Sequence, residues 1–179
     1  MDVFFSANRG YADELVTAGL VDPSDAKPYA QGRLVVWTRD DGPPPVSRLN
    51  DLVDARFKRL AIANPDHAPY GVAAREALQA AGIWTTVEPK VVPAENVLQA
   101  LQFAGSGNAD AAIVAASVAF GAGGNSVPVP EGMFTPLVQT AAVMKASAHA
   151  DEARRFVAFV RSADGQAVLG RYGLSLIHI

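Results

Sequence analysis

The chain has 179 residues, half of them hydrophobic and 18% charged, with a formal net charge of −3. That balance excludes general disorder, supplies ample material for a core, and argues against a nucleic-acid binder, which carries a basic surplus. No apolar run reaches membrane-spanning length, and the lack of cysteine removes disulfides, thiol catalysis and thiolate metal sites. The three histidines, His67, His149 and His178, have no second histidine or carboxylate at a ligand-like helical spacing, so no bare-cation site is expected. Met1–Phe5 lacks the basic and long apolar regions of a secretory signal.

Taken in order, Asp2–Asn8 (DVFFSAN) reads as a buried strand running into a turn, and Tyr11–Ala18 as a short helix ended by Gly19. Arg33–Trp37 is an apolar strand, and Asp40–Pro45 (DDGPPP) is the strongest breaker in the chain. Leu60–Ala63 is a short strand before the turn-rich Asn64–Gly71, and Val72–Ala81 is an Ala-rich helix closed by Gly82. Val87–Val92 is a strand that Pro89 places at an edge or makes irregular. Val97–Ala104 is a helix, Ala111–Ala115 a fully apolar strand, Gly121–Pro130 a loop and Leu137–Met144 an extended segment. Asp151–Arg161 is a helix with Ala153, Phe156, Val157 and Val160 on one stripe. Strands alternate with helices, so the expected class is α/β with mostly parallel sheets.

Two loops share one design. Each joins a strand to a helix and places a proline just before the helix: Pro69 before Tyr70-Gly71, and Pro93 before Ala94–Val97. Helix starts leave N–H groups outside the helical ladder and carry partial positive charge. At the carboxyl ends of parallel strands, two such starts aimed into one cleft would hold a small oxyanion by amides alone. Gly71 would allow close approach of the ligand, and Asn96 is a good cap for the second helix. Neither turn is a phosphate loop, and by spacing alone ordinary strand-to-helix turns remain the commoner reading.

NPDHAPYGVAAREAL (Asn64–Leu78) followed by PAENVLQAL (Pro93–Leu101) resembles the periplasmic molybdate-binding proteins of ABC importers. DVFFSAN, GNADAAIVA (Gly107–Ala115) and SADGQAVLGRYG (Ser162–Gly173) are similar to the same family in the same order, so the likeness runs from Asp2 to Gly173. The resemblance implies a two-lobed type II periplasmic-binding-protein fold closing on a tetrahedral dianion. It implies main-chain N–H contacts at Tyr70 and Val97, with Gly71, Asn96 and Ala115 close to the ligand. Lobe one is expected at 1–37 plus 135–173 and lobe two at 38–134. Some relatives bring a tyrosine hydroxyl where Ala115 stands, and a small residue where Tyr70 stands, so the Tyr70 side chain is a candidate cover for the site.

Family members begin with a strand, helix and two serine turns before the equivalent of DVFFSAN. The expectation is therefore an N-terminally truncated chain with an incomplete first lobe and a lost signal peptide. Leu174–Ile179 (LSLIHI) departs from the family ending and is read as a non-native tail, with no function for His178.

His67 is expected to stabilise its own turn and Asp66 to point to solvent, away from an anion. Asp13/Glu14 and Asp151/Glu152 are adjacent on helices and do not face each other, Trp37 and Trp84 are packing residues, and Ser6 and Ser117 lack a nucleophile pattern. The resulting expectation is a non-enzymatic periplasmic protein, without cofactor, that captures molybdate or tungstate for an ABC transporter permease and is monomeric when complete. The competing readings are a binder of sulfate or another oxyanion, and a cytoplasmic effector-sensing domain of a transcription regulator.

Overall fold

In the computed structural model, which describes residues 1–175, each strong apolar run of the sequence is a strand. Met1–Gly32 contributes β1 (Val3–Ser6), α1 (Arg9–Thr17) and β2 (Val21–Gly32). Arg33–Pro136 contributes β3 (Leu34–Thr38), β4 (Leu60–Ala63), α2 (Pro69–Ala80), α3 (Trp84–Val87), β5 (Val91–Ala94), α4 (Val97–Gly105), β6 (Ala111–Ala115), α5 (Ala116–Ala119) and β7 (Asn125–Pro128). From Leu137 onward come β8 (Leu137–Met144), α6 (Ala150–Arg161) and α7 (Ala163–Arg171).

Contacts divide the chain into two units, one made of Met1–Gly32 with the chain from Leu137 onward, the other of Arg33–Pro136. β3 thus belongs wholly to the second unit, whereas the sequence places the crossing after Trp37. The reason is pairing: β3 lies between β6 and β7 in the second unit's sheet, and Val35 and Trp37 join that unit's core.

The first unit has a three-stranded antiparallel sheet ordered β1-β8-β2. On one face, Ala153 and Val157 of α6 bury Ala141 and Val143; on the other, Ala12 of α1 meets Val21 and Ala142. β2 has no counterpart in the sequence reading. Its Pro23 and Pro28 break the expected pattern, and it tolerates them because it is an edge strand with register shifts between Val21/Ala26 and Pro28/Ala30. Helix α7 also escapes the sequence reading; its cap is Ser162, whose Oγ accepts from the Gly165 N–H (3.3 Å). Ser175, expected in a non-native tail, bridges to Gln31 of β2 by two backbone hydrogen bonds (2.8 and 3.1 Å). Leu174 of the same segment donates its N–H to Leu169 O (3.2 Å), and residues 176–179, with His178, lie outside the described residues.

The second unit has a five-stranded sheet ordered β5-β4-β6-β3-β7. β4 pairs parallel with β5 and β6, but β3 runs antiparallel to β6 and β7. The α/β class stands, with mixed rather than mostly parallel sheets. A helical crossover returns the chain to the same edge of the sheet and so makes strands parallel. That holds for the uninterrupted β4–α2–β5–α4–β6 run. β3 and β8 each enter a sheet after a crossing between units, with no such helix before them, and both oppose their neighbours.

Smaller shifts have local causes. β5 begins at Val91 because Val87 ends α3 and Pro89 sits in a 3₁₀ turn, Glu88–Lys90. Pro93 lies within β5, an edge strand, where a missing donor is tolerated. β7 replaces an expected loop; Gly124 before it has φ +71° and no room for a Cβ, which would lie 2.6 Å from the Trp37 ring.

Candidate functional site

The loop after β4 is organised by Asn64. Its N–H donates to the Ala94 carbonyl at the end of β5 (2.7 Å), tying the ends of two adjacent parallel strands together. Its Oδ1 accepts from the Asp66 N–H (3.0 Å), and its carbonyl accepts from the N–H groups of His67 (3.4 Å) and Ala68 (2.9 Å). This folds the chain back so that α2 starts directly at the strand end, earlier than the predicted Val72. Ala68 is the extended residue before the helix and Pro69 takes the first helical position, where a missing N–H costs little. Tyr70 follows, then Gly71.

Gly71 is required by packing at the start of α2. A Cβ there would collide with the Ala63 carbonyl oxygen and stand 2.7 Å from that of Asn64. The close approach it permits within the fold is that of α2 to the end of β4. Tyr70 beside it is buried, at 7% exposure, with the other buried residues of α2.

The loop after β5 ends in a reciprocal cap. Asn96 Oδ1 accepts from the Gln99 N–H (3.0 Å), while Gln99 Oε1 accepts from the Glu95 N–H (2.7 Å). This variant of the capping box satisfies donors on both sides of the helix start. Val97, the first residue of α4, has an N–H that donates to no acceptor among the described residues. At the other end of the helix, Arg39 Nη1 donates to the carbonyls of Ala104 (3.4 Å) and Ala109 (3.2 Å), placing a cation at the negative end of the α4 dipole.

β6, the third of the parallel strands, ends at Ala115, which is buried and has only a methyl group to offer. α2, α4 and the short α5 therefore all begin at the carboxyl edge of neighbouring strands, spaced about 4.8 Å apart. Two neighbouring helix starts at one sheet edge, lined by main-chain donors and small side chains, suit a compact anion.

The family model of the bacterial extracellular solute-binding protein matches residues 1–175. The chain belongs to that family. It is 34% identical to the molybdate-binding protein ModA of Rhodobacter capsulatus, over 96% of this chain and 68% of that protein. It is 30% identical to ModA of Azotobacter vinelandii, over 98% of this chain and 71% of that one. The solved Azotobacter vinelandii periplasmic molybdate-binding protein superimposes with a TM-score of 0.88 at 28% identity, covering 99% of this chain and 79% of that structure. The fold extends to the sulfate-binding protein SubI of Mycobacterium tuberculosis, with a TM-score of 0.79 at 18% identity. The type II periplasmic-binding-protein likeness read from the sequence is therefore correct.

Other singled-out residues of this solute-binding protein are structural. Asp66 is exposed, as expected, and pairs with Arg75 (3.4 Å). His67 is exposed, and its N–H joins the Asn64 turn. Asp13 pairs with Arg9, Asp151 with Arg154 and Glu152 with Arg155, each one helical turn away. Trp37 packs in the core with its Nε1 donating to Gly123 O (2.8 Å), Trp84 is half-buried, and Ser6 Oγ donates to Asn8 O (2.7 Å). Among the described residues no group of three or more His, Asp or Glu is placed to hold a metal ion. Sequence reasoning missed Arg39 and Asn64. The Asn-Pro-Asp turn is a local signal for Asn64, but nothing near Arg39 marks its partner, 65 positions away.

The cap at Asn96 is testable. Asn96→Ala removes the acceptor for Gln99 N–H and is expected to cost about 1 kcal/mol of stability in urea denaturation. Asn96→Asp, which keeps the acceptor, is expected to preserve it.

Proposed function

We propose that this protein captures molybdate, and tungstate equally, outside the inner membrane for delivery to an ABC transporter permease. In this reading the oxyanion is held by main-chain N–H groups at Tyr70 in the first turn of α2 and at Val97 in the first turn of α4. Gly71 and Asn96 shape the turns and Ala115 leaves space beside them. The observation that carries the reading is the Val97 N–H, without an acceptor among the described residues, at a helix start that adjoins a second one across paired strand ends. Helix N-termini favour anions through oriented donors and the positive end of the dipole. The molybdate-binding relatives support the choice of anion. No covalent chemistry and no cofactor enter; binding and release are the whole activity.

Amides around a tetrahedral dianion do not recognise its central atom, so discrimination falls to the size of the space they enclose. Calorimetric titration is expected to give similar affinities for molybdate and tungstate and a much weaker one for sulfate. Sulfate as the tightest ligand would overturn the choice of anion.

A further inference from the structure

The two main-chain donors proposed for the oxyanion sit on helices that start differently. α4 carries its own cap, the reciprocal Asn96–Gln99 pair, immediately around Val97. α2 has none: the residue before it, Ala68, has no side-chain oxygen to offer. A helix start without a side-chain cap frays unless something else holds its first turn.

At α2 that task falls on the far end of the loop, residues 64–68. Pro65 has no N–H, and each of the three N–H groups between Pro65 and Pro69 donates to Asn64. Asp66 donates to its Oδ1 (3.0 Å), and His67 and Ala68 donate to its carbonyl (3.4 and 2.9 Å). The Gly71 N–H then donates to Ala68 O (2.9 Å), so the first turn of α2 hangs on the residue that Asn64 holds. Asn64 is itself anchored to Ala94 O at the end of β5 (2.7 Å), and Ala94 lies three residues before Val97. One residue is thus bonded both to the loop that leads to Tyr70 and to the strand that leads to Val97.

The side chain matters as well as the main chain. An asparagine oxygen accepts from the N–H two residues on and so mimics a backbone turn. Alanine at this position would keep the main-chain bonds and lose the one from Asp66, whereas aspartate would keep them all.

We propose that Asn64 is a positioning residue of the oxyanion site, fixing the start of α2, and with it the Tyr70 N–H, beside the start of α4. This rests on the reading of Tyr70 and Val97 as the donors. A donor held in place before the anion arrives has less freedom to lose on binding, so a residue that acts through the loop changes affinity.

Two measurements on the full chain separate positioning from binding. Amide hydrogen exchange of the free protein reads positioning: in Asn64→Ala, exchange at Ala68 and Gly71 is expected to speed up about tenfold, and in Asn64→Asp to stay near that of the unchanged protein. Calorimetric titration with molybdate reads its consequence: Asn64→Ala should bind roughly fivefold to tenfold more weakly, and Asn64→Asp within about threefold of the unchanged protein. Val87→Ala, at a buried position of α3 outside the loop, is the control for lost stability alone and should leave molybdate affinity within about twofold. Unchanged exchange in Asn64→Ala, no rescue by aspartate, or an equal loss of affinity in Val87→Ala would each overturn the inference. The expected exchange pattern in a protein without affinity for molybdate would uphold the hold of Asn64 on α2 and overturn the oxyanion reading instead.

Discussion

Val97→Pro is expected to weaken molybdate binding by about 10- to 100-fold, the effect of losing one charge-assisted hydrogen bond, while Val97→Ala changes it by less than about threefold. The contrast isolates the main chain. Proline at the first helical position removes an N–H that the helix does not use, and its fixed φ suits a helix start. The preceding residue must be extended, and Asn96 already is, at φ −154° and ψ 173°. The Asn96–Gln99 cap and the Ala100 N–H bond to the Asn96 carbonyl are untouched by the change. Val97→Ala keeps the N–H and trims a side chain packed against the core of the second unit, so it is expected to show in stability rather than affinity, at about 1 kcal/mol. Calorimetry on both variants decides the matter. An equal loss of affinity in the two would mean that the Val97 side chain, not its amide, matters to the anion.

Gly71→Ala is expected to be the most damaging single-methyl change in the second unit, at about 3 kcal/mol or more in urea denaturation. The new Cβ would meet backbone, the carbonyls of Ala63 and Asn64, which cannot swing aside as a side chain tip can. Relief requires α2 to retreat from the end of β4. That retreat would carry the Tyr70 amide with it, so any protein that still folds should bind molybdate weakly. Gly132→Ala is the control: nothing lies within 4 Å of its added methyl, and stability should stay within about 0.5 kcal/mol. Similar stabilities for the two variants would show that the start of α2 is looser than its packing indicates.

The two helix starts were legible because their signals are local. Pro69 before a helix-forming run, and Asn96 three residues before Gln99, specify where α2 and α4 begin from interactions within a single turn of chain. The apolar runs of β4, β6 and β8 were legible for a similar reason: each is a short, mainly apolar run and is largely or wholly buried. Even so, one site residue has a packing role that its sequence position does not show. In the sequence Gly71 reads only as room for a ligand; its close packing on the carbonyl of Ala63 becomes visible only when α2 is laid on β4.

What the sequence alone determined, then, is the α/β class, the positions of most strands and helices, the starts of α2 and α4 to within a few residues and, through ordered motifs, the solute-binding family. These follow from propensity, periodicity and capping, whose interactions span a few residues. Tertiary structure alone decided strand direction, the place of β3 in the second unit, and the existence of β2 as an edge strand despite Pro23 and Pro28. It also decided that Arg39 closes the far end of α4. Each of these depends on which distant segment lies alongside. The energy of such a pairing comes from burial and hydrogen bonds between residues tens to more than a hundred positions apart, which no local pattern records.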